Sequence, residues 1–351
     1  MQGPLPSSFI TSTPWEGSSN SIWLGSVFIL HRNLDSHLFP SQMSETDRKQ
    51  VLTTCAASLI PQLQNGKVLT QEELTPHIKE YLFEHFILNE GFEQFDTGRG
   101  MVIDDTGTFL GLINVEDHIH IHLFEKTTNW DEAYQRLGHL DKELGKSMEF
   151  AFSHRFGHLT SDPMVCGTGL AVQTFLHIPA LIHSGALTDL LCELGHDVIV
   201  RGLGQDNQFI ADIALVENRF KLGVTEPDIL NSVHKAAETL AQAEGLAKKK
   251  LLDGNDESMK DLVARAFGVL KHAHSLQIEE TLTSLSLFEL GKQLGWIDGG
   301  QSLEFKKCFF TSRRAHLHEV FQTQEPIAKN DLILKRAQYL HKELGTANLT
   351  L

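Results

Sequence analysis

Cysteine is scarce in this chain of 351 residues, and the four present, Cys55, Cys166, Cys192 and Cys308, lie far apart with no CxxC pair. That spacing excludes a disulfide framework and fits free thiols in a reducing compartment. Positive charge is also in short supply. Thirty Lys and Arg face 45 Asp and Glu, a net charge of −15 with the 19 histidines neutral. Phosphate-backbone binding needs clustered cations, so no nucleic-acid partner is expected. The one basic run, Lys248-Lys249-Lys250, sits among alanines and leucines and reads as a solvated helix face. No segment approaches the roughly 18 apolar residues of a membrane helix, and the first residues lack the basic start and apolar run of a signal peptide. A soluble, cytoplasmic protein with no membrane partner is the expectation.

What is present is alternation. In "NVEDHIHIHLFEK" (114–126) a histidine stands at every second position. On a strand, successive side chains point to opposite faces, which would place Glu116, His118, His120 and His122 on one face and Ile119, Ile121 and Leu123 on the other. Imidazoles so placed can converge on a zinc ion. The same pattern also describes a half-buried strand with a polar outer face.

Along the chain, residues 1–20 are rich in Ser, Pro and Gly and read as a loose arm. "SIWLGSVFILHRNL" is a strand entering a turn, and from about Ser44 to Asn89 the pattern is helical, opening on a Ser N-cap with an acidic first turn. "MVIDDTGTFLGLINVEDHIHIHLFE" reads as two strands joined at Asp-Thr-Gly. An amphipathic helix and a Gly-punctuated loop follow, then two strands, "HDVIVRGLG" and "NQFIADIALVEN". Beyond about residue 226 the character is almost wholly helical. The expected fold is therefore α+β: an antiparallel sheet flanked by helices over 21–226, then an all-helical C-terminal domain over 227–351.

Several of these stretches, in order, resemble the ATP:guanido phosphotransferases (phosphagen kinases), and most of all the bacterial protein-arginine kinases. "NVEDHIHI" is similar to that family's N-E-E-D-H-[LI]-R-I strand, and "FGHLTSDPMVCGTGLAVQTFLHIPAL" to its G-Y-L-T-S-C-P segment. "VIVRGLG" and "IALVENRFKLGVTEPDIL" resemble the R-G-x-x-G-E and S-N-x-x-x-L-G motifs, "FILHRNLDSHLFP" the tail of S-S-R-[VI]-R-[LI]-A-R-N-L, and "EHFIL" an E-[RK]-H-L-I segment. The helical tail resembles the C-terminal domain special to the protein-arginine kinases.

The resemblance implies transfer of the γ-phosphoryl of MgATP to a guanidinium, with arginines clamping the triphosphate and a carboxylate aligning the guanidinium. Carried over residue by residue, the carboxylate is Glu116, and a histidine near the nucleotide base is His85. The clamp arginines fall at Val27, Ile29, His120 and Ala171, and the family cysteine at Asp162. The last glycine loop keeps Arg201 and Gly202 and runs to Asp206, but Gln208 stands where a substrate-side glutamate is expected. In the C-terminal domain the phosphoarginine-reading R-D-x-x-R-A signature leaves only Lys335 and Arg336 as cations.

A hydrogen bond to a charged group contributes about 1.5–3 kcal/mol, so four lost arginines remove on the order of 6 kcal/mol. Micromolar to millimolar nucleotide binding amounts to about −8 to −4 kcal/mol in total. The expectation is therefore a degenerate kinase, with no cofactor, acting through protein contacts in Clp-linked quality control. Its implied partners are a zinc-binding activator protein, a Clp-type unfoldase and a second copy of itself. Two alternatives stay open: a working protein-arginine kinase using MgATP with Glu116 and Arg201, or a zinc enzyme built on His118, His120 and His122.

Overall fold

The computed structural model describes residues 5–6, 9–10, 13–18, 20–87, 97–323 and 327–351. Eight antiparallel strands form the central sheet: β1 (Trp23–Arg32), β2 (Lys67–Thr70), β3 (Gly100–Ile103), β4 (Phe109–Ile113), β5 (Ile119–Glu125), β6 (Leu170–His177), β7 (Val198–Gly202) and β8 (Ile213–Asn218). Their order is β2-β3-β4-β5-β1-β6-β8-β7, which puts β1 at the middle with β5 and β6 on its flanks.

Helices cover one face of the sheet. Helix α1 (Glu45–Leu59) starts where the Ser44 side chain accepts the Asp47 N–H, as the sequence indicated. Helix α3 (Asp131–Ser147) buries Ala133, Leu137, Leu140 and Leu144, spaced three or four apart. Helix α4 (Glu226–Gly254) opens on a reciprocal Thr225–Asp228 capping box and packs across β6 and β8. Phe28, Leu30, Ile119, Ile121, Leu123, Leu170 and Val172 meet these helices in the main core.

The opposite face is covered at its β2–β4 end. There α2 (Pro76–Glu84) brings Ile78, Tyr81 and Leu82 onto Met101, Ile103, Leu110 and Leu112, together with Leu5 and Phe9. The segment expected to be a loose arm is thus anchored wherever it is described: Trp15 is 2% exposed, and the Tyr81 hydroxyl donates to the Ile10 carbonyl at 2.8 Å.

The C-terminal part consists of α5 (Glu257–His272), α6 (Ile278–Gln293), α7 (Phe305–Thr311), α8 (Arg314–Val320) and α9 (Lys329–Leu344). It also holds a two-residue ladder between Ile297–Asp298 and Asn348–Leu349, a small addition to the all-helical expectation. The helical reading of 44–89 missed β2, and Asn89 lies outside the described residues. The two strands read in 101–125 are three, because Asn114 adopts φ +59° and turns the chain between β4 and β5.

Candidate functional site

Strand pairing collects the implied clamp positions on one face. Ile29 pairs with Ala171 on β6 and with His122 on β5, while Val27 lies between Gln173 and Phe124, and His31 faces His120. Directly paired residues share a face, so Val27, Ile29, Ala171 and His120 form one contiguous patch. Val27 is buried, and Ile29 and Ala171 are half-buried. Three of these four side chains are apolar and offer no donor to a phosphate.

Arg201 extends the same row but is already engaged. Its Nε donates to Glu217 Oε1 at 3.0 Å, and Gln173 Nε2 donates to Glu217 Oε2 at 3.0 Å. The loop after Gly202 folds on itself: the Gly204 N–H donates to the Gln208 carbonyl at 2.9 Å, and Asp206 takes φ +51° at its exposed tip. A Cβ at Gly202 would lie 2.1 Å from the Gln208 oxygen, so only glycine fits there.

The histidine that the resemblance implies for the base side is enclosed by the chain itself. His85 is 3% exposed, stacks on His316 of α8 and sits 4.9 Å from the Phe9 ring. His85 and His316 share a hydrogen bond at 2.9 Å between their Nε2 atoms, and His316 Nδ1 contacts the Glu84 carboxylate. Burial, then the neighbouring His316, holds the His85 pKa well below its ordinary value. Beside it Trp15 packs among Phe86, Phe175, Phe309 and Phe310.

At the other end of the patch, Glu116 and Asp162 are exposed on two loops that lock together. Ser161 Oγ donates to the Glu116 carbonyl and the Ser161 N–H to Asp117 Oδ1, both at 2.6 Å. The Asp162 side chain accepts the Met164 N–H and caps a short turn. Cys166 is turned toward Thr160, whose Oγ1 lies 3.3 Å from its sulfur.

The expected histidine ladder is broken. His118 precedes β5, accepts the Leu34 N–H at Nδ1 and donates from Nε2 to the Leu38 carbonyl, so it is committed to the chain after β1. The turn at 114–118 brings Asp117, not Glu116, beneath His120. Asp117 is the hub: Oδ2 meets His31 Nδ1 at 3.0 Å and His120 Nε2 at 3.2 Å, while Oδ1 accepts Asn33 Nδ2 at 2.6 Å. Burial opposes its charge, but hydrogen bonds from His120, His31 and Asn33 together hold its pKa below the ordinary carboxylate range. His31 is pushed down to about 4 by burial and then by His120, against the pull of Asp117.

Sequence reasoning missed His31, Asn33, Asp117 and Lys221. His31 continues the Val27–Ile29 alternation on β1, a signal that was there to be read. Lys221 sits in an irregular loop, where it feels Glu217 and Asp162 after burial has lowered its pKa. Nothing in the sequence pattern points to it. In the C-terminal part, Lys335 Nζ stands 4.3 Å over the Phe321 ring, while buried Arg336 donates to the Ser312 and Leu276 carbonyls at 2.7 and 2.6 Å.

Comparison with known proteins bears on the family and the fold. The family model described as ATP:guanido phosphotransferase, C-terminal catalytic domain, matches residues 48–247, and that of the protein-arginine kinase McsB C-terminal domain matches 256–350. A protein-arginine kinase from Chlamydia pneumoniae is 35% identical over 302 residues, 85% of this chain and 84% of that protein. One from Clostridium acetobutylicum is 25% identical over 331 residues, covering 93% and 96%. Among solved structures, lombricine kinase superposes with a TM-score of 0.57 at 19% identity, covering 73% of this chain and 74% of that one. The duplicated taurocyamine kinase of Schistosoma mansoni gives 0.57 at 24% identity, covering 68% of this chain and 36% of that one. Among the described residues, no helix is long and apolar enough to cross a membrane.

Proposed function

The chain belongs to the ATP:guanido phosphotransferase family, in the branch of the protein-arginine kinases, and from that premise we propose that it is a member that has lost phosphoryl transfer and acts through protein contacts. The observation that carries this reading is the patch on the sheet. Val27, Ile29, Ala171 and His120, which the resemblance sets at the four clamp positions, stand side by side, and Arg201 is held by Glu217. Phosphoryl transfer relies on fixed cations around the moving group, and a triphosphate over this patch would meet Val27, Ile29 and Ala171 instead. Enclosure of His85 by Phe9, Tyr81 and His316 supports the same reading on the base side. The protein contacts we assign are those of the family branch: a zinc-binding activator protein and a Clp-type unfoldase in protein quality control, and a second copy of the chain.

A second reading, an active protein-arginine kinase, draws on the names of the relatives and on Glu116, which keeps its place on an exposed turn against the 160–163 loop. Incubating the full chain with MgATP and an arginine-rich protein separates the two. The first reading expects no phosphoarginine. Phosphoarginine formation that disappears in Glu116→Gln would establish the second.

A further inference from the structure

The strongest unassigned feature is the cluster around Asp117, and it holds whether or not nucleotide binds. One ligand atom from each of His31, Asp117 and His120 lies within 4.8 Å of the other two. All three residues are buried, at 8%, 2% and 6% exposure. Ligand atoms about 2.0–2.2 Å from a tetrahedral zinc ion stand roughly 3.3–3.6 Å apart, and the two contacts to Asp117 Oδ2, at 3.0 and 3.2 Å, need open by only a few tenths of an ångström to admit one. The three come from β1, the 114–118 turn and β5, so strand pairing fixes their approach.

Two further observations point to a ligand. His122, the next residue along this face, is 5% exposed, and neither ring nitrogen has a hydrogen-bond partner among the described residues. Its ring centroid is 6.5 Å from that of His120. A buried imidazole normally pairs at least one nitrogen; here two go unpaired beside three potential ligands. The second observation is the support for the carboxylate. Asn33 and the Ser161 N–H hold Oδ1, leaving Oδ2 aimed between the imidazoles, the outer-shell arrangement that orients a metal-binding carboxylate.

We propose that His31, Asp117 and His120 form a site for one divalent transition-metal ion of zinc type, with His122 as fourth ligand after a small ring movement. Two or three imidazoles and one carboxylate favour zinc or cobalt over magnesium and calcium, which prefer all-oxygen shells. The ion would tie β1 to β5 at the position where the family places a clamp arginine. It would also replace the contacts that now join both imidazoles to one carboxylate oxygen.

The test uses the full chain stripped with chelator, then titrated with zinc sulfate by calorimetry and with cobalt chloride by visible absorption. One equivalent is expected, with a tetrahedral cobalt spectrum that zinc displaces. His31→Gln and His120→Gln should each weaken binding more than about 100-fold, beyond the roughly 10- to 100-fold that outer-shell partners contribute. His318→Ala should leave it unchanged. X-ray absorption of the zinc complex needs no variant, so it decides the matter even if a substitution unfolds the protein; imidazole nitrogens and an oxygen without sulfur are expected. Absence of stoichiometric binding, sulfur in the shell, or loss in His318→Ala would overturn the proposal, the last by moving the metal to the more exposed His77–His318–Glu319 group.

Discussion

On one face of β1, Phe28 and Leu30 are at most 1% exposed and join Ile119, Ile121 and Val172 in the main core. On the other, Val27, Ile29 and His31 stand with His120, His122 and Ala171, a row that includes the four positions where the resemblance implies clamp arginines. The first face keeps the residue types that the fold requires; the second carries Val27, Ile29, Ala171 and His120 at positions where the resemblance implies arginines. The two sets interleave along the same strands, so one face of a sheet can change residue type while the packing of the other is kept. The retained arginines follow the same division. Arg32 is 1% exposed and forms a two-point ion pair with Asp141 at 2.8 and 2.9 Å, so it serves the fold. Arg201, at the edge of the patch, is bound to Glu217.

The comparison can be tested by mutation, and the largest effect belongs to the core face. Phe28→Ala should cost about 3–5 kcal/mol in denaturant unfolding, as truncation of a buried aromatic does, while half-buried Gln173→Ala should stay within about 1 kcal/mol. Equal costs would erase the distinction. Arg32→Leu leaves half-buried Asp141 and the Thr168 and His31 carbonyls without their donor, at a cost of about 3 kcal/mol, the low end for a broken buried pair because water reaches Asp141; equilibrium unfolding would read it.

A middle-sized effect is expected in acid. His177 lies fully buried against Ser286 and Phe305, and burial lowers its pKa to about 3. With the folded pKa depressed, the unfolded state binds the extra proton, so stability is intact above pH 6.5 and falls as pH drops toward 3. At pH 5 this one group should remove about 2 kcal/mol relative to pH 7. Between pH 7 and pH 5 the wild type should lose about 2 kcal/mol more unfolding free energy than His177→Gln. The smallest effect is at Arg201→Ala, whose half-exposed ion pair should contribute under about 1 kcal/mol by thermal unfolding.

Much of the fold was legible because alternation and capping are local. β1, β5 and the Ser44 start of α1 follow from residues within a few positions. β2 was not, since "KVLT" is a short, largely exposed edge strand inside a polar stretch. The break before β5 depends on Asn114, whose side chain donates to the Arg48 and Gly98 carbonyls at 2.8 Å, contacts far away in sequence. The arm gave no periodic signal because it is held by single aromatic residues, Phe9 and Trp15, separated by polar ones. The motifs marked Val27, Ile29, His120 and Ala171 one by one, but their meeting on one face came from the pairing of β1 with β5 and β6. The His31–Asp117 contact did not, because pairing of β1 with β5 joins residues 86 positions apart.

The most direct test of the central claim is calorimetric titration of the full chain with MgATP and MgADP at neutral pH, paired with Val27→Arg/Ile29→Arg/His120→Arg/Ala171→Arg. The account predicts no saturable heat and no thermal stabilisation of the wild type up to millimolar nucleotide, with any gain confined to the variant. Saturable micromolar binding by the wild type would contradict it.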